Sequence, residues 1–380
     1  MREQQNLTTN LLRSPSNQTR TLLQSLVRGD DDVLTIYSRN VSEALYVGLQ
    51  HLKECGIWKK SRSGRVIEYP NPVVTVYKRP EERVLFYPDR DANPFFHLFE
   101  SLWMLAGRRD VAFVEQFNSR MKEFSDDGET FHGAYGYRWR NYFEIDQLDL
   151  LVQHLLVDRD TRRAVLQMWS PEDLERVVSE SSSKDVPCNT QVYFKVKNGR
   201  LQMTVNCRSN DIIWGTYGAN AVHFSILQEY IAARAGLQLG TYYHWSDSFH
   251  AYEGVFEKTL KILEQQNTGD SLWYDSYIGW NKGMHYSPEP MFDKPQYIDQ
   301  DLNFFLCCEE PSTLEEAEYD FENKFFTETA CPMLRAWRHH KDLRYSDALE
   351  CLDKVTALDW RKAAIEWIER RKYQLEYSKR

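Results

Sequence analysis

Polar and apolar residues alternate from 190 to 197, a stretch rich in Val, Tyr and Phe, and again from 201 to 207, where Leu201, Met203 and Val205 share a face. Between the two runs, Asn198 and Gly199 supply the pair of residues that a type I′ turn needs, so the pattern predicts an antiparallel hairpin. A hairpin returns the end of its second strand to the start of its first. It therefore brings Arg208 beside Cys188, 20 residues away. Two further runs read as strands, 164–169 and 237–245, and 66–77 is β-like but interrupted by Pro70 and Pro72.

Helical spacing of apolar positions appears elsewhere. Ser42 is a candidate N-cap for a helix through Ala44, Leu45, Leu49 and Leu52 that stops near Gly56. Asn93 and Pro94 open a strong helix with Phe95, Leu98, Leu102 and Leu105 on its apolar face. Further helices are predicted over 111–124, 148–156, 221–235 (closed by Gly236), 255–265, 345–355 and 359–377, with others near 21–27 and 314–323. The remainder reads as loop: a basic run at 59–65, a Gly/aromatic turn at 133–140, an acidic Ser-rich insertion at 171–185, a glycine-bearing turn at 212–220, a polar loop at 247–252, and 266–312. Residues 1–40 read as a polar extension. No internal repeat is present.

At 380 residues with 42% hydrophobic and 14% aromatic content, the chain can build a large core. Its net charge of −9 argues against a general nucleic-acid binder, which depends on clustered positive charge. No apolar run has the length of a membrane span and the first 20 residues lack an apolar signal core, so a cytoplasmic location is expected. The seven cysteines are irregularly spaced with no Cys-x-x-Cys pair, which suggests neither a disulfide scaffold nor a metal site. Cys207, Cys307, Cys308 and Cys351 read as small buried hydrophobes. Cys188 differs because a guanidinium beside a thiol favours the nucleophilic thiolate. Arg62, Arg65 and the pair Arg162 and Arg163 are candidate anion ligands, although solvated charge is the ordinary reading of each. Glu100 lies among aromatics, either on a wet helix face or held for proton chemistry.

Taken together, Glu100–x–x–Trp103, Tyr135–Gly136, Arg162–Arg163, Pro187–Cys188, Arg208–Ser209–x–Asp211, Asn220 and His250–x–Tyr252, in this order and with this Cys-to-Arg spacing, resemble the thymidylate synthase superfamily over roughly 60–255. The resemblance implies an α+β fold: a large curved mixed β-sheet flanked by helices, dimerising through the sheet. It implies a catalytic domain at 41–285, with 286–380 as a helical C-terminal extension packed on it. It also implies 5,10-methylenetetrahydrofolate as co-substrate, no metal, and a pyrimidine nucleoside monophosphate as substrate. Cys188 would attack C6 of the base. Arg208, Ser209 and Arg62 would hold the phosphate, with Arg162 and Arg163 arriving from the other subunit of a homodimer, and Arg65 is the alternative to Arg62. His250 and Tyr252 would bind the sugar and Asp211 the pterin. Tyr135 would help remove the C5 proton, Glu100 would order water near the base, and Asn220 would read the ring edge.

The departures from that resemblance cluster around base and folate. Lys122 stands where a folate-stacking tryptophan is expected, with Phe124 nearby; Asn189 replaces the histidine after the nucleophile. The turn 214–219 is one residue longer than in the synthases, and their apolar closing tail has no counterpart at 377–380. A wetter site favours water over hydride at the C5 methylene. The expected activity is therefore C5 hydroxymethylation, as phages use to make modified DNA precursors. Asn220 leans towards uracil, so dUMP is favoured, while dCMP and CMP stay open because a 4-amino group suits aspartate at that position. The alternatives are a true thymidylate synthase making dTMP and a catalytically dead nucleotide- or RNA-binding relative.

Overall fold

The computed structural model describes residues 32–180, 183–266, 277, 286–307 and 321–378. The helix expected near 21–27, most of that near 314–323, and Cys308 lie outside them.

Leu34–Ser38 (β1) leads into Val41–Cys55 (α1). The cap of α1 is Asn40 rather than Ser42: its side-chain oxygen accepts from the backbone N–H groups of Ser42 and Glu43. The basic run at 59–65 is a hairpin, Ile57–Ser61 (β2) and Gly64–Glu68 (β3). Beyond the two prolines, Val73–Tyr77 (β4) enters a different sheet. Pro94–Leu105 (α2) starts as expected, with Asn93 accepting from Phe96 N–H and Pro94 in the first turn.

The helix expected over 111–124 is broken: Val111–Glu115 (α3) is followed by a separate 3₁₀ turn, Ser119–Phe124, capped by Asn118. The Gly/aromatic turn is helical at Tyr135–Arg140 (α4) and precedes Gln147–Val157 (α5) and Val165–Gln167 (β5). Gly136 is required where α4 meets the end of α2, because a Cβ there would collide with the Met104 carbonyl. The supposed insertion contains Pro171–Ser179 (α6), tied down by Asp173, which the buried Arg138 grips at 2.6 and 2.7 Å.

Asn189–Lys197 (β6) and Arg200–Cys207 (β7) form the expected hairpin, with φ of +52° at Asn198 and +71° at Gly199. Asn210–Asp211 (β8) and a wide turn at Ile212–Ala219 lead into Asn220–Arg234 (α7) and Gln238–Ser246 (β9). The expected polar loop at 247–252 is in part a strand, Phe249–Tyr252 (β10). Its pairing partners, Val66–Glu68 and Asn210–Asp211, lie far away in sequence, so no local pattern announced it. Glu253–Thr259 (α8) and Lys261–Gln266 (α9) follow. Ile298–Cys307 (α10) replaces loop, and Cys331–Lys341 (α11), Tyr345–Leu352 (α12) and Leu358–Ser378 (α13) complete the chain.

Two sheets result. The larger is mixed, in the order β1-β4-β9-β7-β6-β5; the smaller runs β2-β3-β10-β8. Residues 34–38, read from sequence as extension, are thus a strand of the main sheet. Its inner face packs under α7, whose Gln228 donates to the carbonyls of Leu201 and Gly240. On the outer face, Tyr193 and Val165 are exposed, and Thr204, Tyr243 and Trp245 half-buried. The C-terminal helices rest on α2: Trp337 and Trp367 pack on Phe95 at ring-centre distances of 5.4 and 5.7 Å, while Phe305 of α10 stacks on Phe99 at 6.0 Å. Among the described residues, no helix is long and apolar enough to cross a membrane.

Candidate active site

The chain passes from one sheet to the other at Arg208 and Ser209, between β7 and β8. Cys188 stands just before β6, opposite that crossing. The β6–β7 register slips between Asn189 and Gln191, a bulge that re-aims the start of the strand. Arg208 N–H donates to the Cys188 carbonyl at 2.9 Å. The guanidinium donates to the carbonyls of Pro187 (3.0 Å) and Val186 (3.3 Å), and Nη2 lies 3.9 Å from Cys188 Sγ. Arg208 is therefore held by backbone on one side and faces the sulfur on the other.

The electrostatic balance at this sulfur differs from the expectation. Burial pushes the half-buried Cys188 thiol up; Arg208 and Arg62 pull it down, Asp185 adds to the rise, and the net direction is upward. An adjacent arginine alone does not make a resting thiolate here. Of the two arginines weighed for the same role, Arg62 is the one whose charge reaches Cys188, and it donates to the Ser183 carbonyl at 2.6 Å. Arg65 is bound to Glu253 at 2.5 Å and stacked on Trp58.

Asn189 is buried, and its backbone N–H donates to Tyr135 Oη at 3.2 Å. Both polar atoms of its side-chain amide lack partners. Tyr135 has its phenol raised by burial and then by Cys188 and Cys207. Asp211 caps the turn into α7, its Oδ1 accepting from Ile213 and Trp214 N–H at 2.8 and 2.7 Å, while Oδ2 is buried and unpartnered. Burial raises this carboxyl. His250 is the register partner of Asp211 across β8 and β10, and Tyr252 packs edge-on to it at 5.8 Å.

Asn220 opens α7, its Nδ2 donating to Asn210 Oδ1 at 3.3 Å. Asn210 is itself fixed by Ser246 (2.9 Å) and His244 (3.0 Å), and burial lowers His244 to about 3, which keeps it neutral. Lys122 is exposed on the 3₁₀ turn. The segment after that turn is bound to the approach to Cys188, since Asp126 accepts from Ser183 Oγ (2.8 Å) and Lys184 N–H (2.9 Å). Arg162 and Arg163 are exposed, with no side-chain partner among the described residues.

Several residues here escaped sequence reasoning. One is His223, whose Nε2 lies 2.9 Å from Oε2 of Glu100; Glu100, singled out from the sequence, is buried rather than on a wet helix face. Arg90 is buried under the turn after Asp211, donating to the Ile213 carbonyl at 3.0 Å with Trp214 over its guanidinium; burial lowers it to about 10. His97, lowered chiefly by burial and then by Arg90 and His223, completes the group. One signal was available: His97 and Glu100, and likewise Asn220 and His223, stand three apart on a helix and share a face. The bland cysteine reading suits Cys207, which is buried. It fails for Cys307, which is exposed, and Cys351, which is half-exposed, because both lie on helix surfaces. Among the described residues, no cluster of His, Cys, Asp or Glu is arranged for a metal ion. A cleft of about 280 Å³ between α11 and α12, lined by Arg335, His339, Glu350 and Lys354, includes none of the residues above.

A cysteine facing an anchored arginine, with buried polar atoms around it, is an arrangement suited to covalent attack on a polar, anionic substrate. Residues 90–273 match the family model described as thymidylate synthase. The chain is 46% identical over 353 residues to the deoxyuridylate hydroxymethyltransferase of Pseudomonas phage M6, covering 90% of this chain and 96% of that one. It is 40% identical to the enzyme of the same name from Bacillus phage SP01, over 50% and 51% of the two chains. To that of Delftia phage PhiW-14 it is 31% identical, over 61% and 66%. The chain belongs to the thymidylate synthase family. It is a one-carbon transferase of that family, whose members act on a nucleotide and use methylenetetrahydrofolate.

Proposed function

We propose that this protein hydroxymethylates C5 of dUMP, using 5,10-methylenetetrahydrofolate, to make a modified DNA precursor in the cytoplasm of a phage-infected bacterium. The carrying observation is the near full-length similarity to the phage M6 deoxyuridylate hydroxymethyltransferase, together with an asparagine at 220. The Asn220 amide can accept from uracil N3–H and donate to O4. Its contact with Asn210 Oδ1 takes up one N–H and supports that orientation.

In this reading Cys188 adds to C6, and Arg208, Ser209 and Arg62 bind the phosphate. Arg162 and Arg163 reach the phosphate of the partner subunit in a homodimer formed by the outer face of the main sheet. Cys188 reacts as thiolate only once its proton has left, so a dianionic phosphate drawing Arg208 and Arg62 to itself does not assist. The pull of those guanidiniums instead offsets part of the burial that raises the thiol. His250 and Tyr252 bind the sugar, Tyr135 takes part in removing the C5 proton, and Asn189 meets the base edge. Residues 41–285 carry these roles, and 286–380 brace them through α2.

Bound folate supplies the one-carbon unit. The residues present suit a pterin: the orphaned Asp211 Oδ2 can accept from a ring N–H, and Arg90 braces the turn beside it. Lys122, which is exposed, would leave the folate side open to water.

Incubation with methylenetetrahydrofolate and each of dUMP, dCMP, UMP and CMP, with products weighed by mass spectrometry, tests the proposal. dUMP is expected to gain a hydroxymethyl group. A methyl product accompanied by dihydrofolate contradicts the proposal.

A further inference from the structure

We infer that His223 is a positioning residue for the water that ends the reaction, acting through Glu100; this rests on the hydroxymethylase reading above. Glu100 is 8% exposed and His223 4%. Glu100 Oε2 and His223 Nε2 approach to 2.9 Å, but out of hydrogen-bonding alignment, so neither atom has a hydrogen bond. Two buried polar atoms left unmet are unfavourable, and proteins keep such atoms where a ligand or an ordered water completes them. These two converge on one point.

That point lies close to the substrate edge. His223 follows Asn220 by one turn of α7, on the same face, so a base read by Asn220 has its C4–C5 side within a turn of His223. The other titratable groups around the pair are His97 of α2 and Arg90 of the preceding segment, both buried. No hydroxyl or thiol group is assigned to the task by the site described above.

The chemistry requires such a pair. Once the C5 proton is gone and the carbon carried on C5 is an exocyclic methylene, water oxygen bonds to that methylene. The methylene π electrons move into the ring towards C4–O, and the proton lost by the water passes to Glu100, beside the His223 imidazole. When the ring electrons return to form C5=C6, the C6–S bond breaks and Cys188 leaves as thiolate. One water is added, and no oxidant or reductant is consumed. A carboxylate beside an imidazole can orient the water and receive its proton. Neither function is needed for the earlier loss of the C5 proton.

The test uses full-length His223→Gln and His223→Asn with C5-tritiated dUMP and methylenetetrahydrofolate, scoring tritium release and hydroxymethyl product in the same reactions. Product formation should fall about 10²-fold. Tritium release should fall much less, so the ratio of tritium to product rises about tenfold or more over wild type, with little change in KM for dUMP. An unchanged ratio overturns the inference, as does loss of tritium release in both variants, which would place His223 before water capture or in the fold alone. A wild-type enzyme making a methyl product overturns the functional reading and the inference with it. A wild type making hydroxymethyl-dUMP with an unchanged ratio in the variants overturns only the inference.

Discussion

Arg371 of α13 holds both carboxylate oxygens of Asp91, 280 residues earlier in the chain, at 2.5 and 2.6 Å. Arg370 adds a third bond at 3.1 Å, and the Arg371 guanidinium stacks 3.8 Å from the Trp367 ring centre. Asp91 has φ +48°, an uncommon conformation for a residue with a side chain, and its neighbour Arg90 is the buried arginine beneath the Asp211 turn. The C-terminal helix thus clamps the backbone that aims Arg90.

Arg371→Ala should release that clamp. The pair is partly exposed but bidentate, so a stability loss of about 1 kcal/mol is expected. The larger effect should be a rise in KM for the folate that exceeds the rise for dUMP, because Arg90 supports the Asp211 side of the site. Steady-state kinetics with each substrate varied in turn measures this, and equal changes in both KM values would count against the clamp.

Cys188 should label slowly at neutral pH. Its thiol is raised above the usual cysteine value, so the thiolate fraction keeps growing as pH climbs beyond 9. Iodoacetamide labelling followed by peptide mass spectrometry should show Cys188 lagging behind the exposed Cys55 at pH 7 and still accelerating at pH 9. Arg208→Gln removes a group that lowers the thiol and should slow labelling further. A plateau reached by pH 7 would disprove the balance described here.

Asp173 accepts from Arg138 and His132 inside the protein. Burial alone would raise its carboxyl, but those hydrogen bonds win and hold it at about 2. A depressed carboxyl contributes stability that is present above the unfolded value near 3.8 and lost as pH falls through about 2. Asp173→Asn should cost about 3–5 kcal/mol at pH 7, because Arg138 is left buried without its counter-charge. Urea unfolding across pH should show the gap between wild type and variant closing below pH 4.

Asn220→Asp should lower kcat/KM for dUMP by about 10²-fold, since a carboxylate cannot donate to O4. It should also gain dCMP poorly, because its oxygen would face Asn210 Oδ1, the present acceptor of the Asn220 amide. Adding Asn210→Ser removes that opposing oxygen and should raise turnover of dCMP. Competition between the two nucleotides, read by mass spectrometry, decides the matter; dCMP turnover unaffected by the second change would rule out the role given to Asn210.

Arg163→Ala and Cys188→Ser should each be inactive if the site is shared between subunits. Mixing and refolding the two should restore about a quarter of wild-type activity, since half the dimers are mixed and each has one complete site. A mixture as inactive as its components would place Arg163 outside the partner's site.

Much of this was legible in the chain. Asn198 and Gly199 demanded their turn wherever the hairpin lay, and Asn93 with Pro94 started a helix by local capping and a preset φ. The nearness of Arg208 to Cys188 followed from hairpin closure alone. Other elements depended on remote partners. Phe249–Tyr252 became a strand because β3 and β8 stood ready to receive it, and α6 was secured by Arg138. Ser42 lost the cap to Asn40, two residues earlier, where the chain leaves β1.

Local periodicity and turn chemistry were set by neighbours a few positions apart, so the amino-acid string alone carried the hairpin, the main helices and the approach of Arg208 to Cys188, while Asp211 and Asn220 were singled out by resemblance to a family. Only the folded chain decided the surroundings of those groups: that burial outweighs Arg208 at the Cys188 thiol, that His223 meets Glu100, and that Asp91 answers to Arg371. Solvent exclusion and through-space charge depend on segments hundreds of residues apart, and no short-range pattern encodes them.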